Sequence, residues 1–100
     1  MATVTKVMAR TAAATSSTTL YTVPAGTTAV VTNIAVTNTA TAAATFTIAL
    51  NGVALQTSAA LAANTTAYID LKQVLSATQT ITGFASATSV NFHISGVEII

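Results

Sequence analysis

Apolar and polar positions alternate with a period of two along most of this chain. Val30, Thr32, Ile34 and Val36 fall on one face of an extended segment, with Val31, Asn33, Ala35 and Thr37 on the other. Phe46, Ile48 and Leu50 alternate with Thr45, Thr47 and Ala49. Ala67, Ile69 and Leu71 alternate with Tyr68, Asp70 and Lys72, and Val90, Phe92 and Ile94 with Asn91, His93 and Ser95. Successive side chains of a strand point to opposite faces, so this period predicts half-buried strands. Threonine fills many of the alternate positions, where its branched β-carbon favours extended backbone and its hydroxyl tolerates water. Near the end the apolar phase slips, running Val90, Phe92, Ile94 and then Val97, Ile99. The extra residue predicts a β-bulge at Ser95-Gly96.

Turn chemistry divides the strands. Val23-Pro24-Ala25-Gly26 places proline second and glycine fourth, the preference of a type I turn. Asn51-Gly52 between two apolar runs predicts a tight hairpin, because both residues accept positive φ. Ala12–Ala14 and Ala40–Ala44 read as loops, and Ser58–Ala63 has room for one helical turn. Seven or eight strands at this spacing predict an all-β fold, an antiparallel two-sheet β-sandwich of jelly-roll or Ig-like type. Phe46, Phe84 and Phe92 are its expected aromatic core. Residues 1–16 carry few large apolar side chains and read as an N-terminal arm or edge strand. Residues 17–100 form the sandwich domain.

Composition narrows the function. Only 5% of the 100 residues are charged, against about 25% in ordinary soluble domains. With a net charge of +1 there is no basic patch to neutralise phosphates, so no nucleic-acid partner is expected. Alanine and threonine make up over two-fifths of the chain, and no apolar run reaches the ~18 residues of a membrane helix. No membrane partner is expected, and no secretory signal is read at the N-terminus. Without cysteine or an acidic cluster, neither metal nor cofactor is expected.

Candidate chemistry is sparse. His93 is the single histidine, and Asp70 and Glu98 are the only carboxylates. No Gly-x-Ser-x-Gly elbow accompanies them, and the expectation is a protein that is not an enzyme. The recurrent Thr-x-Thr pairs are irregularly spaced, which favours ordinary strand composition over an ice-binding array. Asp70 and Lys72 share a strand face with Tyr68, and an exposed tyrosine suits an interface. Lys6, Arg10, Tyr68, Asp70, Lys72 and His93 are the candidate interface residues. So little charge leaves few means of protecting exposed sheet edges, which points to a subunit whose surface other protein covers.

The segment Leu20-Tyr21-Thr22-Val23-Pro24-Ala25-Gly26-Thr27-Thr28-Ala29-Val30-Val31 resembles the opening of small virion structural proteins of tailed bacteriophages. Ala67-Tyr68-Ile69-Asp70-Leu71 and the run from Val90 to Ile99 resemble later segments of the same proteins. The resemblance covers about Ser17 to Ile100 and implies a non-enzymatic virion component. It leaves head and tail open; the first expectation is a capsid decoration (cement) protein, made in the host cytoplasm and placed on the virion surface. Its partners would be copies of itself, a trimer by first expectation, and the major capsid protein or other virion proteins. A phage tail or fibre component is the alternative within that class. A carbohydrate- or host-surface-binding sandwich module is the alternative outside it.

Overall fold

The computed structural model describes residues 2–100. Its regular elements are eight strands: β1 (Thr3–Ala12), β2 (Thr18–Thr22), β3 (Thr28–Asn38), β4 (Ala44–Leu50), β5 (Val53–Leu61), β6 (Thr66–Leu75), β7 (Thr80–Ala85) and β8 (Val90–Ile99). They form two antiparallel four-stranded sheets, ordered β1-β8-β3-β6 and β2-β7-β4-β5. The pairs β4/β5, β3/β6, β2/β7 and β1/β8 are nested inside one another along the chain. The whole is one long hairpin, turning at Asn51-Gly52, rolled up until β8 also pairs β3 and β7 also pairs β4. That is jelly-roll connectivity, and the Ig-like alternative does not apply.

Side chains from both sheets fill one core, including Val31, Ile34, Val36, Phe46, Ile48, Ile81, Phe92 and Ile94. β1 is an edge strand that pairs with β8, and it contributes Met8 to this core. Ala13 follows it there from the β1–β2 loop.

Phe84 departs from its expected place in the core. It is half-buried on the outer face, while Ile81, Gly83 and Ala85 of β7 point inward. Alternation from the stronger inward residue Ile81 decides the phase, and an aromatic ring cannot occupy both sides.

The expected bulge is displaced from β8 to the strands beside it. β8 keeps an unbroken alternation, with Val90, Phe92, Ile94, Gly96 and Glu98 all buried. Val97 and Ile99 therefore lie on the outer face. Opposite Ser95-Gly96, the extra residues are Met8 in β1 and Thr32 in β3. The Thr32 bulge also corrects the phase of β3: Ala29 and Val31 point inward before it, Ile34 and Val36 after it, and Val30 points out. Gly96 explains the arrangement. A Cβ on Gly96 would collide with the Val30 carbonyl oxygen and stand 2.8 Å from Met8 Cε. Only glycine lets both bulged neighbours close over this point.

Asn51 (φ 51°) and Gly52 (φ 78°) form the β4–β5 hairpin with both residues at positive φ, a type I′ turn. The proline turn is shifted by one residue: Thr27 N–H donates to Pro24 O at 3.2 Å, with Gly26 third at φ 74°. Positive φ at the third position alone marks type II in place of type I. Ser58 to Leu61 is strand, not a helical turn, because Ala59, Ala60 and Leu61 pair with β4. Ser58 itself takes a φ of 46°, a kink beside the register shifts of β5.

Asn38, fully buried, ties the loops at one end of the sandwich. Its Nδ2 donates to Ala42 O at 2.8 Å and to Leu61 O and Ala62 O at 3.4 Å. Its Oδ1 accepts from Ala40 N–H and Ser89 Oγ, each at 3.1 Å. One amide thus holds the β3–β4, β5–β6 and β7–β8 loops together.

Candidate interaction surface

The three basic and two acidic side chains of the chain, with its histidine, all belong to the β1-β8-β3-β6 sheet. Lys6 and Arg10 are on β1, Asp70 and Lys72 on β6, His93 and Glu98 on β8. The β2-β7-β4-β5 sheet and every loop are uncharged. The outer face of that second sheet presents Thr19, Thr82, Ala49 and Ala54 in one register row and pairs Phe84 with Thr47.

Strand register turns the charged sheet's outer face into rows. Arg10, His93, Ala35 and Tyr68 line up across β1, β8, β3 and β6. The next row is Val7, Ser95, Asn33 and Asp70, and the one beyond is Thr5, Val97, Val30 and Val74. Of the candidate residues, Arg10, His93, Tyr68 and Asp70 are thus brought into two adjacent rows. Lys72 follows Asp70 on the same face by alternation. Lys6 is separated from them: it stands opposite inward-pointing Gly96, on the other side of β1, yet is exposed. An inward-facing lysine on an edge strand opposes continuation of the sheet by another strand.

This face also carries exposed apolar area. Tyr68 is 74% exposed, Val74 64% and Val7 52%. Val4 and Val53 are exposed too, but register places them beside Glu98 and Leu50 at the open sides of the sandwich. Those sides are clefts between edge strands. One of about 340 Å³ lies between β1 and β2 at Ala9, Thr11 and Leu20. Another of about 260 Å³ lies between β5 and β6 at Leu55 and Gln73.

Glu98 is the functional-looking residue that alternation misplaced. It points between the sheets, is 6% exposed, and its Oε2 accepts a hydrogen bond from Tyr21 Oη. Burial, the hydrogen bond to Glu98 and the nearby carboxylate push the Tyr21 phenol well above its ordinary value. The inward phase of Val90, Phe92 and Ile94, continued without a slip, would have found it.

Register does not bring His93 and Asp70 together. His93 and Asp70 are on strands with β3 between them, about 10 Å at normal strand spacing. Among the described residues no cluster of three or more potential metal ligands occurs. Comparison with known protein families, curated proteins and solved structures finds no match to this chain.

Proposed function

We propose that this chain is a non-enzymatic structural subunit of a tailed-phage virion, acting as a decoration or cement protein on the capsid shell. The observation that carries the reading is the segregation of charge. One sheet holds every charged side chain, and the other presents a neutral threonine/alanine face. Hydroxyls and methyls desolvate at far lower cost than ions, so such a face can be covered by a larger protein without stranding a charge. The motif resemblance around Leu20–Val31 and Val90–Ile99 points the same way. Jelly rolls also serve widely as viral shell domains, an analogy of fold alone.

Quantitative mass spectrometry of purified particles tests this. A capsid role requires copies on the order of hundreds per particle, as a shell's repeated symmetry dictates. A few to tens of copies would move the protein to the tail or fibre. Absence of the chain from purified particles would overturn the virion reading altogether.

A further inference from the structure

We infer that the outer face of the β1-β8-β3-β6 sheet is the surface through which two copies of this chain pair, about a two-fold axis parallel to the strands. This deepens the reading above by naming the self-association surface. It replaces the three-fold assembly implied by the motif resemblance with a two-fold one.

The face is complementary to itself. A two-fold axis lying midway between β8 and β3 sets β8 of one copy over β3 of the other, and β1 over β6. Each register row then meets its own row. His93 faces the partner's Ala35, a ring against the smallest side chain of the face. Ser95 faces the partner's Asn33, polar against polar. Val97 faces the partner's Val30, apolar against apolar. At the flanks Arg10 faces the partner's Tyr68, with the partner's Asp70 one row along the same strand. A guanidinium can lie on the phenol ring and pair the carboxylate at once. The arrangement occurs twice by symmetry. Aligned sheets cross at about 30°, which shifts the outer strands by a few ångströms, within the reach of an arginine. An in-plane axis across the strands would instead set β1 on β1 and leave Arg10 without a carboxylate.

Area separates this face from the other. Strands of 10, 11, 10 and 10 residues cover about 600 Å², so a pair of copies covers about 1,200 Å², the lower bound of a specific interface. The strands of the neutral sheet have 5, 7, 9 and 6 residues, and two such faces together fall below about 1,000 Å². The exposed Tyr68, Val74 and Val7 all lie on the larger face.

Sedimentation velocity of the full chain at micromolar concentration is the test. A dimer is expected. Arg10→Glu and Asp70→Arg should each weaken it by about tenfold or more, and the double charge swap should recover most of the loss. Ala35→Trp, which fills the space opposite His93, should give a monomer that melts like the parent. Should Arg10→Glu not fold, Asp70→Arg reads the same contact from the other strand. A monomeric or trimeric parent chain, or single variants that dimerise as well as the parent, would overturn the inference. Particle mass spectrometry is independent: a dimer absent from particles removes the virion reading and leaves this one standing, and a monomer found in particles does the reverse.

Discussion

The Tyr21 hydroxyl and the Glu98 carboxylate join the two sheets through the interior, one from β2 and the other from β8. Both are nearly closed to solvent, at 8% and 6% exposure. Tyr21→Phe removes the donor and leaves a buried carboxylate without this partner. The expected cost is about 1–3 kcal/mol, read as a shift of the urea midpoint at neutral pH. A variant as stable as the parent would show that the pair is not closed to water.

The same pair sets the alkaline limit of the fold. An unfolded tyrosine releases its proton near pH 10, while the folded Tyr21 holds it to a higher pH. The stabilisation is complete below about pH 10 and is lost as pH rises through the folded value, because the unfolded chain then binds fewer protons. Denaturation midpoints should fall above about pH 10 in the parent and fall less in Tyr21→Phe. Absorbance titration should show the Tyr21 phenol ionising only well above pH 10 while the chain stays folded.

Gly96→Ala tests the paired bulges. The new methyl would meet the Val30 carbonyl, a backbone group that cannot rotate away. A loss of about 1–3 kcal/mol or more is expected, the range for forced overpacking.

Phe92→Ala should cost about 3–5 kcal/mol, because the ring is fully buried and the sandwich cannot collapse around the space. Denaturant titration reads this directly. A loss under about 1 kcal/mol would place the ring outside the shared core.

Asn38→Ala should loosen one end of the molecule before the rest. It leaves the Ala42 carbonyl and the Ala40 amide without their side-chain partner. Amide exchange should speed up in the three loops that Asn38 joins, and less at the centre of β3 and β8.

The strands were legible in the sequence wherever alternation ran without interruption. β6 and the first part of β8 are such segments, and Tyr68, Asp70 and His93 took their faces from it. Legibility failed at the bulges. From sequence, the apolar slip at Val97 predicts a bulge in β8, since Val97 and Ile99 are more apolar than Gly96 and Glu98. The fold instead buries Gly96 and Glu98, because a glycine is needed for close approach and a carboxylate can be satisfied across the core by Tyr21. No local pattern announces a hydrogen bond between residues 77 positions apart. The rows of the outer face were likewise hidden: Arg10, His93 and Tyr68 come together only through the order β1-β8-β3-β6.

The nested hairpin has a temporal consequence. Its innermost pair, β4 and β5, closes over two turn residues, whereas its outermost pairing joins Thr3 to Ile99. Each successive pair closes a longer loop, so an order from Asn51-Gly52 outward is the one of least entropic cost at every step. On a ribosome β1 would wait unpaired through the synthesis of the six strands after it. β8 then adds to the open edge of β3, and only its own far edge gives β1 a partner. Folding dominated by such remote pairings belongs to the millisecond-to-second regime. During that interval the uncharged β3, whose two flanks await β6 and β8, is the segment most open to pairing with another nascent chain.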